Sequence, residues 1–338
     1  MSISRPTTMN ELAKLAGVSV STVSRALAGN PAINDRTREK VAALASEHGF
    51  QPNMFARNLR LRRTETIGVV LPLGHQADQH LTDPFFLTLI GYLADELSQR
   101  GYDMLLKKIV PHNDHWLRQL AESGRVDGIV VIGQSDQEAE LALVARSYKP
   151  MVVWGASLPG QAYVTVGSDN VAGGALAARH LIAQGRTRLI FVGVSRAPEL
   201  AQREAGFRLA CDEAGLGAGV HSLEVGLVAE HAYRELLDII DREADVDGIV
   251  AASDVIAIAA IRALEERKRS VPRDVAIVGY DDVPLARHMV PTLTTIRQDL
   301  ALGAHTMIAK LIGLIAGEPQ VSTVMEPELV IRQSSRIQ

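Results

Sequence analysis

The residues with the clearest capacity for chemistry in this sequence form one short polar face. In the run Ser19-Val-Ser-Thr-Val-Ser-Arg25-Ala-Leu27, helical spacing turns Val23, Ala26 and Leu27 to one side. That leaves Val20, Ser21, Ser24 and Arg25 on the other. Small hydroxyls beside one guanidinium suit the major groove of DNA, where arginine can bond a guanine edge through two N–H donors. Catalysis finds no comparable set. The chain has no G-x-x-x-x-G-K-S/T phosphate loop and no G-x-S-x-G nucleophile elbow. His112-Asn-Asp-His115 has a metal-like spacing but no third ligand in view, and Asp114 reads as a helix cap. Gly215-Leu-Gly-Ala-Gly219 ends a helix instead of following a strand, so glycine C-caps explain it. Cys211, inside the helical pattern 207–214, reads as a small packing residue. The expectation is a protein that is not an enzyme and carries neither metal nor cofactor.

Three helices must hold the polar face in place. Thr8 followed three residues later by Glu11 has capping-box spacing, and Leu12, Leu15 and Ala16 then give one apolar side. Gly17 supplies a turn that needs positive φ, and Ser19 caps the second helix. A third helix opens at Asn34 or Asp35, runs through His48 and stops at Gly49. This is the layout of a helix-turn-helix, with a generic three-helix bundle as the alternative on pattern alone. Beyond Pro52, residues 53–60 can make about two turns of helix, too short to be stable in water unaided. Such a basic segment either orders on DNA or serves as a plain linker.

Charge is distributed in the same sense. Residues 1–65 hold ten Lys/Arg against five acids, a balance of +5 in a chain of net −4, which leaves −9 on the remainder. A polyanionic partner is therefore met by the front of the chain alone. A length of 338 residues with 47% hydrophobic side chains supports two or three cores. A single cysteine excludes a disulfide framework and favours the cytoplasm. There is no long apolar run and no signal-peptide pattern, so neither membrane insertion nor export is expected.

From Thr66 onward, apolar runs rich in β-branched residues alternate with helical patterns: strands at 67–71, 103–109, 128–132, 151–154, 164–166, 189–192, 248–251 and 276–280. Helices are expected at 85–100, 115–122, 173–184, 201–214 and 256–267. The alternation implies parallel sheets covered on both faces. Asp127-Gly-Ile-Val-Val and Asp247-Gly-Ile-Val-Ala mark equivalent strands in two halves, a faint internal repeat. The fold class expected is an N-terminal all-α helix-turn-helix headpiece plus an α/β core of two doubly wound parallel-sheet lobes. In a chain with only 4% aromatics, Phe85, Phe86 and Trp154 near strand ends are informative, since such rings can stack on a ligand.

Several motifs together resemble the lactose-repressor (LacI/GalR) family of bacterial transcription regulators over essentially the whole length. They are Ala16-Gly-Val-Ser19 with Thr22-Val-Ser-Arg25, Thr37-Arg-Glu-Lys-Val41, and Pro52-Asn53 with Ala56-Arg57-Asn-Leu59. With them go Arg203-Glu-Ala-Gly206-Phe207, Val278-Gly-Tyr-Asp281-Asp282-Val-Pro and Leu293-Thr-Thr-Ile-Arg-Gln-Asp299. The resemblance implies a repressor whose affinity for a palindromic operator in double-stranded DNA is set by a small carbohydrate bound between the core lobes. A periplasmic-binding-protein-like sugar receptor without a transcriptional role is the alternative. It implies that Val20, Ser21 and Arg25 read bases while Ser19, Thr22 and Ser24 hold phosphates. Leu59, with Ala56 beside it, would wedge into the minor groove, and Asn53 and Arg57 would lie near the backbone.

For the effector it implies Arg203 as hydrogen-bond donor and Asp281 as acceptor, with an aromatic side chain from Asp83-Pro-Phe85-Phe86 over the ligand. Trp154, Ser253 and Asp169 are further candidates, and Ser253 stands where relatives often carry the longer asparagine. Ala197 replaces the arginine of purine-responsive relatives, which points to an uncharged sugar. The implied organisation is a headpiece at 1–52, a hinge at 53–64 and a core at 65–338. Within the core, an N-lobe spans about 65–163 and 293–321, and a C-lobe about 164–292 and 322–338. Symmetric recognition implies a homodimer, with helices at 85–100 and 302–316 as candidate faces and burial within a lobe as the alternative; no leucine-heptad tail follows. On this reading Leu59→Ala weakens operator binding and leaves ligand binding intact. Equal operator affinity of mutant and wild type by gel shift would refute the assignment.

Overall fold

A computed structural model describes residues 8–27, 29–50, 63–74, 76–111, 115–193, 196–217 and 220–336. The chain divides into two compact units, Met1–Thr64 and Glu65–Gln338.

The first unit is three helices, α1 (Met9–Ala16), α2 (Val20–Leu27) and α3 (Asp35–Glu47). Its caps follow from the sequence. Thr8 Oγ1 accepts from the Glu11 N–H at 3.3 Å, and Glu11 Oε2 accepts from the Thr8 N–H at 3.3 Å. Gly17 ends α1 at φ +69°, Ser19 Oγ accepts from the Thr22 N–H at 3.1 Å, and Asn34 caps α3 by accepting from the Thr37 N–H at 2.8 Å. Leu12, Ala13, Ala16, Val23, Ala26, Val41, Ala45 and Phe50 form the core. One expectation fails here: Leu15 is 45% exposed, and Ala13 takes its place inside. The helices meet largely through alanines, and a leucine stays at the rim. Asn53, Ala56, Arg57 and Leu59 lie outside the described residues.

The second unit holds two six-stranded sheets. The first runs β11 (Thr323–Met325), β5 (Val164–Ser168), β4 (Met151–Trp154), β3 (Gly128–Ile132), β1 (Thr66–Pro72), β2 (Asp103–Ile109), all parallel. The second runs β12 (Glu328–Val330), β10 (Thr294–Arg297), β9 (Ala276–Asp281), β8 (Gly248–Ala251), β6 (Leu189–Val192), β7 (His221–Leu223), with only β12 antiparallel. The two-residue period of a strand sorts the side chains. Ile67, Val69, Leu71, Val130, Ile132, Val152 and Trp154 pack beneath α4 (Pro84–Gln99) and α11 (Leu300–Ile315). Val70, Ile129, Val131 and Val153 face the opposite layer, where α5 (Trp116–Glu122) and α6 (Glu138–Ser147) lie. The repeat motif marks true equivalents, because β3 and β8 occupy the same place in their sheets. Asp127 Oδ2 accepts from the Glu65 N–H at 2.9 Å and Asp247 Oδ1 from the Arg188 N–H at 2.9 Å, each tying down the entry to a neighbouring strand.

The lobe boundaries differ from the expected ones. Strand β5 belongs to the first lobe, since Val152, Val153 and Trp154 pair with Val164, Thr165 and Val166. Strand β10, inside the expected 293–321 segment, pairs with β9 in the second lobe, so only α11 returns to the first. Strand β11 also joins the first lobe, through Thr323–Val166 pairing. The chain thus crosses between lobes three times, after β5, between β10 and α11, and between β11 and β12. Cutting the sequence into two like halves missed this, because a strand's own pattern does not say which partner it pairs with.

Helices α4 and α11 pack on each other inside the first lobe while exposing Leu87, Tyr92 and Leu302 on their outer sides. Among the described residues, no helix is long and apolar enough to cross a membrane.

Two glycines let the helices of the second lobe approach closely. In α7 (Asn170–Ala183) a Cβ on Gly174 would meet the Arg203 carbonyl oxygen at 2.0 Å. In α8 (Pro198–Glu213) a Cβ on Gly206 would meet the Val171 carbonyl oxygen at 1.9 Å. Both obstacles are backbone, so the helices themselves must part. Gly206→Ala is expected to cost about 1–3 kcal/mol, read as a lowered thermal midpoint. An unchanged midpoint would contradict the packing.

Candidate functional site

In doubly wound sheets the carboxyl ends of strands carry the loops that can hold a ligand. Both sheets of the core aim theirs at one cavity of about 90 Å³. Pro72 and Leu73 after β1, Ile132, Gly133 and Ser135 after β3, and Trp154 ending β4 come from the first lobe. Ala197, Glu199, Leu200 and Arg203 after β6, Ser253 after β8 and Asp281 ending β9 come from the second.

The apolar wall is aromatic. Phe85 and Phe86 start α4, whose N-terminus is capped by Asp83 accepting from the Phe85 N–H at 2.9 Å. The Phe85 ring lies 5.7 Å from Phe86 at 61° and 6.2 Å from Trp154 at 54°. Tilted rings of this kind present edges and faces to the C–H surface of a ligand.

The polar side is built around Arg203, which is 6% exposed. Its Nε donates to Asn170 Oδ1 at 2.9 Å, and Nη1 donates to the Ala252 carbonyl at 2.6 Å and lies 3.7 Å from Asp281 Oδ1. The guanidinium carbon sits 3.7 Å above the Tyr280 ring. A buried cation needs such partners, since desolvation alone would expel it. Asp281 in turn accepts from Gln298 Nε2 at 2.7 Å. Its backbone stands at φ +117°, with Asp282 at +54°, strain that persists because the surroundings hold it. Asp282 anchors the turn through Arg297 Nε at 2.8 Å and Arg332 Nη2 at 2.5 Å.

Burial dominates the titration of this cluster. It pushes Asp281 up to about 7 against the attraction of Arg203. Buried Asp254, which accepts from Thr295 Oγ1 at 2.6 Å and the Val283 N–H at 2.9 Å, is pushed well above the ordinary carboxylate range by desolvation and then by Asp281. Desolvation also raises Glu199 and Asp83. Arg203 and three carboxyl groups, Asp83, Glu199 and Asp281, thus line the cavity together.

Of the expected effector residues, Phe85, Phe86, Trp154, Arg203, Ser253 and Asp281 all line this cavity. Asp169 does not line it: its Oδ1 caps α7, accepting from the Ala172 N–H at 2.9 Å. Ser253 has a structural task too, capping α10 (Asp254–Glu266), which follows α9 (Ala229–Arg242), by accepting from the Ile256 N–H at 3.3 Å. Sequence reasoning missed Glu199, Asp83 and Gln79. Glu199 was findable, because it precedes Arg203 by four residues on one helix face. Its Oε1 accepts from the Gln134 N–H across the lobes at 3.0 Å, while Gln134 grips Ala156 and Tyr163 of the first lobe. Other interlobe bonds join Gln76 Oε1 to the Leu227 N–H at 2.7 Å and His231 Nδ1 to Asp78 at 3.1 Å.

In the first unit, Val20, Ser21 and Arg25 are exposed on α2, Ser24 is half-buried, and Val23 and Ala26 are inside. Ser19 Oγ lies 2.8 Å from both Ser21 Oγ and Thr22 Oγ1, so three hydroxyls cluster at the start of the helix, where backbone N–H groups favour an anion.

Residues 8–53 match the family model for bacterial regulatory proteins of the lacI family, and residues 178–335 match a periplasmic binding protein-like domain. The HTH-type transcriptional regulator CelR of Thermobifida fusca is 32% identical over 98% of this chain and 98% of its own. A solved complex of the transcriptional regulator CelR with cellobiose is 30% identical with a TM-score of 0.70, covering 98% of this chain and 100% of that one. The lac repressor dimer bound to operator and an anti-inducer has a TM-score of 0.85 at 23% identity, over 98% and 99% of the two chains, and shares the fold.

A carboxyl at about 7 in the folded core and near 3.8 when exposed binds more protons folded than unfolded between those values. Its stabilising contribution is present at low pH and is lost as pH rises through 7. The thermal midpoint of wild type should therefore fall more between about pH 5 and about pH 8 than that of Asp281→Asn, which stays neutral. Parallel pH profiles would show an aspartate ionised throughout.

Proposed function

The chain belongs to the lacI family of bacterial regulatory proteins, and on that premise we propose that this DNA-binding transcriptional regulator is a repressor governed by an uncharged sugar held between its core lobes. The observation that carries the reading is the convergence of Phe85, Phe86 and Trp154 with Arg203 and Asp281 in one cavity at the strand ends. Rings take the C–H faces of a carbohydrate, the guanidinium donates to its hydroxyls, and the carboxyl groups accept from them. Three carboxyl groups against one cation disfavour a phosphorylated or acidic ligand. Ala197 on the wall leaves no cation at that position. A relative solved with cellobiose supports the sugar class.

Ligand in the cavity bridges the lobes beside the Glu199–Gln134 bond and biases their closure about the three crossings. The protein works as a symmetric homodimer in the cytoplasm, where its DNA is, with Leu87, Tyr92 and Leu302 on the shared face. Closure changes the spacing of the two headpieces and so their fit to a palindromic operator. On each headpiece Val20, Ser21 and Arg25 read bases, with Ser19, Thr22 and Ser24 on phosphates.

The test is fluorescence anisotropy of the full chain on a palindrome selected from random duplex DNA. A sugar that raises the thermal midpoint of the core should shift operator affinity, and Arg25→Ala should lose roughly 1–3 kcal/mol, concentrated at one base pair. Operator affinity indifferent to every sugar that binds would defeat the proposal.

A further inference from the structure

One polar side chain in the wall of the effector cavity is only partly satisfied by the chain around it. Gln79 lies between β1 and α4 and is 4% exposed. Its N–H donates to the Gln76 carbonyl at 3.1 Å, its carbonyl accepts from Lys108 Nζ at 2.6 Å, and its Nε2 donates to Asp83 Oδ2 at 3.1 Å. Its remaining polar atom, Oε1, is buried without a hydrogen-bond partner among the described residues.

That oxygen is fixed as an acceptor. Asp83 cannot turn away from the amide, because its Oδ1 accepts from the Phe85 N–H at 2.9 Å and caps α4. With the nitrogen committed to Asp83, the amide presents its oxygen at the other end. The backbone carrying Gln79 is tied down as well. Lys108, on β2, also donates to the Ala77 carbonyl at 3.2 Å, and Gln76 Oε1 accepts from the Leu227 N–H of the second lobe at 2.7 Å. A buried acceptor held in place and left unbonded is costly, and a donor entering the cavity removes that cost.

We propose that Gln79 is a specificity-determining residue whose Oε1 accepts from one hydroxyl of the bound sugar and so selects ligands with a free hydroxyl at that position. This deepens the sugar reading above and rests on it. Arg203 can only donate, and it acts from the second lobe; Gln79 Oε1 can only accept, and it acts from the first. Sugar hydroxyls can satisfy both groups, but the one facing Gln79 must direct its hydrogen there. Removing or methylating that hydroxyl leaves the amide oxygen unbonded, and sites built around a hydrogen bond discriminate against ligands unable to complete it.

The experiment is isothermal titration of the full chain with glucose, galactose, mannose, xylose and cellobiose, then with each monodeoxy and mono-O-methyl analogue of the tightest binder. Gln79→Met, close in shape but without the acceptor, should bind the parent sugar about tenfold or more weaker than wild type. At one position, the deoxy analogue should bind wild type about tenfold or more weaker than the parent, and bind Gln79→Met as tightly as the parent does. Analogues altered elsewhere should keep their wild-type ratios. Where Gln79→Met fails to fold, Gln79→Asn, which keeps the amide and draws its oxygen back by one methylene, reads the same difference. Ratios identical at every position in wild type and variant would overturn the assignment while leaving the sugar reading intact. Binding of no sugar by wild type would overturn the proposed function, and this inference with it.

Discussion

The core is organised around one buried cation. Arg203 is held by an amide, a backbone carbonyl, an aromatic face and a carboxylate that come from α7, the end of β8 and the end of β9. A guanidinium withdrawn from water is tolerable only while all of these stay in register. Several otherwise unrelated features serve that register. Gly174 and Gly206 let α7 and α8 close until Asn170 reaches Arg203. The strained turn at Asp281 and Asp282 is fastened by Arg297 and Arg332. Asp254 sits beneath it, bonded to Thr295 and Val283. The cavity is polar on one side because this cluster is there, and aromatic on the other because α4 begins with two phenylalanines.

Much of the architecture could be read from residue patterns because it depends on local rules. Thr8 with Glu11, Gly17, Ser19 and Asn34 mark helix ends wherever they occur, and the structure uses each of them. Apolar β-branched runs became parallel strands as expected, and Arg203, Asp281 and the three aromatics converged. What escaped depends on partners distant in sequence. Leu15 satisfies the helical period but lies on the rim, since the period locates a face and not its edges. The pairing of Thr323 with Val166 spans a long sequence separation, and nothing in either strand announces it. Asp169 looked like a ligand group and is a cap, a use equally natural for an aspartate before a helix. Gln79 carries no motif, and only its buried place in the cavity wall marks it.

The carboxyl groups give the cavity a character distinct from a simple hydrogen-bonding pocket. Asp83, Glu199 and Asp281 are all pushed toward the neutral form by burial. Each still offers acceptor oxygens to a hydroxyl in the cavity. Arg203 is the one cation among the described residues that line the cavity. Glu199 has a second allegiance, since its bond to Gln134 spans the lobes. Groups that contact ligand and opposite lobe together are the ones through which occupancy can be felt as shape.

The threefold passage of the chain between the lobes has a consequence for how such a protein can change over generations. A lobe whose strands and helix are drawn from separate stretches of the gene cannot be exchanged by joining two genes at one breakpoint. Recombination at a single site would hand one lobe a foreign helix and the other a foreign strand. The pair is therefore inherited as a unit, and new ligand preferences must arise by substitution in the walls of the cleft.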